Sequence, residues 1–426
     1  HTSTFEVTLS TGSATASELS SINSATTKNI DATAVTAITG TASAIKAIMD
    51  VEANTGNFIN LDGNFSATVA SGPVEASDLN AISLKTEGTV VATNATAING
   101  TANEVSTALA DAEITHTSTF AVTLDSNTAA TASELSAINL ATTANINATG
   151  VTAITGTAAV IKAIMDVEHD SNDGINLNDN FTATVASGAV EASDLTAISL
   201  KTSGTVVSTN ATSINGTATE VVAALADSQI THTDTFGVTL DNNSTATYLE
   251  LSTINSATSA NINANGVTTI TGSLSQINEL LTIETNMGTS GQQIDLDTDF
   301  SVTLTDTGTI AATTLSTLDE SIPGTLTANK FSLLTGTASQ IADAASRNNS
   351  GTLVLASDFG ATVSTGAVDA TDLTTIYGQT SATINATAAT GINGSAANVH
   401  TVIDHAQVNH DTNFTVTISG TSAAAA

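Results

Sequence analysis

Residues 59–69 read INLDGNFSATV, and residues 175–185 read INLNDNFTATV. Both alternate apolar and polar positions around a phenylalanine, and alternation with β-branched residues marks a strand with one buried face. The run recurs along the whole chain. Phe5, Phe65, Phe120, Phe181, Phe236, Phe300, Phe359 and Phe414 open FEVTL, FSATV, FAVTL, FTATV, FGVTL, FSVTL, FGATV and FTVTI, at spacings of 60, 55, 61, 55, 64, 59 and 55 residues. A fixed period of about 58 residues is the mark of a stacked repeat protein. It predicts these eight phenylalanines buried in one column.

Two module types alternate. A histidine stands four residues before the phenylalanine in one (His1, His116, His232, His410), and a leucine in the other (Leu61, Leu177, Leu296, Leu355). The order slips once, where Leu296 and Leu355 follow one another. Each module also holds two helix signals. One follows the phenylalanine run, as at Thr15–Leu19 and Thr131–Leu135; the other follows a glycine, as in ITGTASAIKAIM from Ile38 and INGTANEVSTAL from Ile98. Thr101/Glu104 and Thr217/Glu220 are capping-box pairs, and one to two helical turns are expected after each. A second strand lies between the helix signals, at Asn29–Thr33 or Thr89–Thr93.

The module thus reads as two coils of about 29 residues, neither able to bury its apolar edge alone. The expected fold is mainly β: a right-handed parallel β-solenoid with short helical turns in each coil, or an α/β-solenoid as its variant, with 1–426 one continuous repeat array. About 14 coils at roughly 4.8 Å per strand give a body on the order of 70 Å long. Full helices need about 8–10 Å each, so either they are single turns or the stack curves. Pro73 and Pro323 are placed in turns. The stretch from Phe300 to Arg347 departs most from consensus and reads as a joint or a worn module.

Composition narrows the function. Forty acidic residues face seven basic ones, a net charge of −33, and Arg347 is the sole arginine. Phosphate backbones need clustered lysine and arginine, so nucleic acid is excluded as a partner, and an anionic membrane surface is disfavoured. No apolar run reaches membrane-spanning length. Aromatic residues are 3% and there is no cysteine, which excludes disulfides and thiolate metal sites. Both chain ends fall inside the same strand element without polar caps. That predicts either a longer parent array or head-to-tail stacking of copies.

The blocks VTAITGTA at Val35 and Val151, with ASELSSIN at Ala16 and ASELSAIN at Ala132, resemble repeats of very large secreted surface proteins of cyanobacteria and other aquatic bacteria. The resemblance covers nearly the whole chain and brings no catalytic residues. It implies an extracellular, cell-surface location and a non-catalytic structural role in a surface layer, sheath or filament. The alternative it leaves is an adhesin stalk or a glycan- or surface-binding module. Expected partners are copies of the chain or adjoining repeats, with glycans as a further class.

The most specific polar signal precedes the phenylalanine of leucine-type modules: Asn60, Asp62 and Asn64; Asn176, Asn178 and Asn180; Asp295, Asp297 and Asp299. On one strand, residues two apart share a face, so each triplet would align three oxygen donors outside while Ile59, Leu61 and Phe65 point in. Such a set suits calcium better than zinc. The alternative reading, a solvated strand end or an Asn/Asp turn ladder, stands ahead of calcium. The recurring histidines read as packing residues in place of the leucine. Threonine runs such as Thr115–Thr119 are broken by Asn/Asp in alternate modules, which disfavours an ice-binding array. Asn94, Asn147, Asn210 and Asn385 stand in glycosylation sequons. There is no nucleophile elbow, phosphate loop or HExxH helix, so an enzyme is not expected.

Overall fold

The computed structural model describes residues 4–52, 59–168, 174–285 and 294–419. The chain forms two compact units, His1–Thr212 with Asp227–Thr233, and Ser213–Ala226 with Asp234–Ala426. Each is a parallel β/α-solenoid. Together the described residues hold eight parallel sheets and fourteen short helices.

The sheets are named here by their inward-facing residues in register. In the first unit these are Val7–Ile30–Ile59 (sheet 1), Ala14–Ile38–Ala67–Val90–Ile114 (sheet 2), Val74–Ile98–Val122–Ile146–Ile175 (sheet 3) and Ala130–Ile154–Ala183–Val206–Ile230 (sheet 4). The second unit holds Ile214–Val238–Ile262–Ile294 (sheet 5), Ala246–Ile270–Val302–Leu326–Leu353 (sheet 6), Ile310–Leu334–Ala361–Ile384–Val408 (sheet 7) and Val368–Ile392–Val416 (sheet 8).

These ladders are staggered. The Phe65 coil has three strands, Ile59–Leu61, Ser66–Val69 and Gly72–Glu75, before its helix Ala76–Ser83; they enter sheets 1, 2 and 3. The next coil has only two, Val90–Val91 and Ala95–Gly100, before helix Ala102–Ala110, and they enter sheets 2 and 3. Each phenylalanine coil therefore starts a new sheet one strand further along the chain. Stacked helices need about twice the spacing of stacked strands, so a straight ladder could not follow the helix layer for many coils.

The stagger corrects the single phenylalanine column. Each phenylalanine run lies in a different sheet, and Phe65, Phe120, Phe181, Phe300 and Phe359 precede the central strand of a five-stranded one. Those five and Phe236 are at most 2% exposed, but Phe5 is 38% exposed and Phe414 is only partly covered, because each lies on a terminal coil with a neighbour on one side. Pro73 is also corrected: it sits in the Gly72–Glu75 strand, not a turn. That strand is the edge of sheet 3, where a missing N–H costs no ladder bond.

Helices run 8–13 residues, longer than one or two turns. Several open on capping boxes: Thr15/Glu18, Thr101/Glu104 and Thr131/Glu134 at the helix signals read from the sequence, and Thr247/Glu250 beside them. Thr217 and Glu220 bond reciprocally in the same way, and Thr337 uses Gln340. The backbone N–H and hydroxyl of Thr217 hold the Glu220 carboxyl below the usual carboxylate range, and Thr15 does the same to Glu18. A depressed folded pKa means stability present above the unfolded value, about 4.3, and lost as pH falls through the folded one. Glu220→Gln, which copies the natural Gln340 box, should therefore flatten the fall in melting temperature between about pH 5 and pH 3. A variant curve parallel to the parent's would contradict this.

Polar groups inside the stack join one coil to the next. Buried Thr26, Thr142, Thr202, Thr258 and Thr380 each donate through Oγ1 to the carbonyl of the phenylalanine one coil back, at 2.5–2.6 Å. Thr86 does so to Phe65. Each hydroxyl also accepts an N–H from two residues on, as from Gly204 to Thr202. In the Phe300 coil the place falls to Ile322, and Gly324 N–H reaches the Phe300 carbonyl directly at 3.0 Å. The divergent stretch is thus an ordinary coil and not a joint. Thr202→Val orphans both the Phe181 carbonyl and the Gly204 N–H, and should cost ~1–3 kcal/mol in denaturant unfolding, with Thr202→Ser largely spared.

Candidate functional site

The outward residues of each sheet form rows, and the rows are of two kinds. Sheets 2 and 4 show Thr15–Thr39–Thr68–Val91–Thr115 and Thr131–Thr155–Thr184–Val207–Thr231; sheet 6 shows Thr247–Thr271–Thr303–Thr327–Val354. Sheet 3 shows Glu75–Asn99–Thr123–Asn147–Asn176, and sheet 5 shows Asn215–Thr239–Asn263–Asp295. From sheet 2 to sheet 6 the alternation that seemed to interrupt a threonine array separates the two chemistries onto neighbouring sheets, while sheet 7 mixes them in Ala311–Thr335–Thr362–Asn385–Asn409.

Each Asn/Asp triplet is split by the end of its strand. Ile59, Leu61 and Phe65 are buried, as the alternation predicts. The strand stops at Leu61, so only Asn60 joins an outward row, opposite Asp31. Asp62 instead accepts Asn64 N–H at 3.3 Å, and Asn178 accepts Asn180 N–H at 2.9 Å, which commits one oxygen of each to holding a turn. Asn176 and Asp295 lie on strands as Asn60 does; Asp297 and Asp299 occupy the same turn as Asp62 and Asn64. The three members of a triplet do not share one strand face. Among the described residues, no three His, Asp or Glu side chains converge as a metal-ligating group.

The histidines pack. The His116 ring stands edge-on to Phe120 at 5.3 Å, and His410 stands likewise to Phe414 at 5.0 Å. Their Nδ1 atoms meet the carbonyls of Thr117 and Asp411 at 2.8 and 2.9 Å.

On the helix side, leucine-type modules carry a pair 28 residues apart that bridges consecutive helices. Ser83 Oγ donates to Asp111 at 2.7 Å and Ser199 Oγ to Asp227 at 2.6 Å. Arg347 meets Asp319 at 3.0 Å, and Tyr377 stacks on His405 at 3.9 Å. The position is constant, but the chemistry changes from hydrogen bond to ion pair to ring stack. Ser–Asp and Asp–Arg here join coils, with no histidine beside either serine.

One outward face is concave. A groove of about 370 Å³ on sheet 5 is lined by Ser213, Gly237, Thr239, Asn261, Asn263 and Asp295, above Val238 and Ile262. Asp295 Oδ2 accepts from Asn265 Nδ2 at 2.7 Å, and Asn263 Oδ1 accepts the Asn265 backbone N–H at 3.1 Å. Nothing in the strand alternation foretold the groove; the signal was the missing side chain at Gly237, where the sister sheet has Ala121, beside Ser213 in place of Ala97.

The chain matches no protein-family model, no curated protein and no solved structure. Among the described residues, no helix is long and apolar enough to cross a membrane.

Proposed function

We propose that the chain is a non-catalytic structural component of an extracellular surface layer, sheath or filament, associating with copies of itself or adjoining repeats. One observation carries this reading. Eleven polar side chains are buried among the described residues, and ten of them bond to the neighbouring coil. An active site keeps polar groups directed at a substrate; here they are directed at the next coil. The charge of −33 keeps copies apart at low ionic strength and is screened at higher salt, which suits assembly in a saline exterior. Antibody labelling of intact producing cells, with electron microscopy of the shed material, tests the reading. A continuous surface label and an ordered lattice or bundled fibres are the expected result. A purely intracellular label, or dispersed monomers at every salt concentration, would overturn it.

A further inference from the structure

We propose that the groove on sheet 5 binds a neutral saccharide. The repeat supplies its own control. In sheet 3 the matching positions are Ala97 and Ala121, opposite each other, and the row beside them is Thr123–Asn147–Asn176. In sheet 5 they are Ser213 and Gly237, and the row is Thr239–Asn263–Asp295. In sheet 7 the glycine recurs as Gly360, but Leu333 fills its place, with Cδ1 3.2 Å from where a Cβ would stand. Sheet 5 combines a removed methyl, a gained hydroxyl and a gained carboxylate at one spot. The fold requires none of the three, since sheet 3 is built without them.

The chemistry left in the groove is that of hydroxyl recognition. Asn263, a lining residue of the groove, has its Oδ1 held by a backbone N–H, which can only donate, so its amide NH₂ is left as donor. Asp295 has one oxygen fixed by Asn265 and the other left to accept. Thr239, Asn263 and Asp295 stand in register on adjacent strands, about 4.8 Å apart. Hydroxyl, amide donor and carboxylate acceptor in a row match neighbouring hydroxyls of a sugar ring, each of which donates and accepts. No lysine or arginine lines the groove, so phosphate, sulfate and uronate are repelled by Asp295 and the overall charge. The volume suits one or two sugar rings. No aromatic ring lines it for stacking, so single-site affinity is weak, with Kd near the millimolar range.

The test is affinity electrophoresis of the whole chain through gels holding dextran, galactomannan or β-glucan, with alginate as the anionic control and a chelator throughout. The expected result is retardation by at least one neutral polysaccharide. Ser213→Ala/Gly237→Ala, which restores the sheet 3 composition, should bind about tenfold more weakly at an unchanged melting temperature, and Asp295→Asn should weaken binding similarly. Three outcomes overturn the proposal: no retardation in any neutral gel, retardation by alginate alone, or equal retardation of the double variant. The surface-layer reading is independent of the groove and survives each of them.

Discussion

Replacing Phe181 with alanine should cost ~3–5 kcal/mol, and the loss should stay within the coils around it. Phe181 is fully buried, and its run Thr182–Val185 is the central strand of sheet 4, paired to Ile154 on one side and Val206 on the other. Removing the ring leaves a cavity that five-stranded pairing and the Thr202 clamp on its carbonyl keep from collapsing. In a stacked array each coil depends on its nearest neighbours, so one global unfolding free energy is the wrong observable. Hydrogen exchange is the right one. Amides of residues 151–156, 182–185 and 206–207 should lose protection together, while sheets 1 and 6 keep theirs. Phe5→Ala, at a site 38% exposed, should lose little. Equal losses for the two variants would show that burial at the centre of a sheet is not what the phenylalanine period selects.

The parts of this fold legible in sequence were those written in local pattern. Alternation about Phe65 and Phe181 announced strands, and Thr-x-x-Glu announced helix starts, because each depends on residues within one turn or one pleat. The third strand of the phenylalanine coils stayed hidden, since it is four residues long and opens on glycine, serine or threonine, and in the Phe65 coil Gly72-Pro73 argues against a strand unless its edge position is known. Without that strand the stagger cannot be derived, and a straight column is the natural and mistaken inference. The clamp threonines recur 21 or 22 residues after their phenylalanines, a regularity masked by the abundance of threonine. The helix-bridging pairs left no motif, because Ser–Asp, Asp–Arg and Tyr–His share a position and no chemistry. The Asn/Asp triplets misled for a related reason. Alternation continues past Leu61, but the strand does not, and Asp62 turns its carboxylate onto the Asn64 N–H.

Arg347→Met should destabilise the second unit by ~3–5 kcal/mol. The Asp319 side chain is only 2% exposed, and Arg347 meets it at 3.0 Å while also reaching Glu320 at 2.6 Å and Asp343 at 3.0 Å. The hydrogen bond that Arg347 donates to Asp343, with those it donates to Asp319 and Glu320, raises the guanidinium pKa further, so the arginine stays charged at every accessible pH. Without it, Asp319 keeps one hydroxyl partner, Thr352 at 3.1 Å, and its Oδ1 is already buried with no partner. An uncompensated buried carboxylate is the costly case; the pair itself adds less. The sister modules show what could replace it. Ser83–Asp111 and Ser199–Asp227 occupy the same place with the acid on the other helix. Arg347→Asp alone sets two carboxylates against each other and should be worse than Arg347→Met. Asp319→Ser/Arg347→Asp rebuilds the sister pair, and should recover most of that loss, with a coupling energy above about 1 kcal/mol in a double-mutant cycle. If the double variant loses as much as the two single changes summed, the constant position is coincidence and the pairs are not interchangeable staples of one repeat.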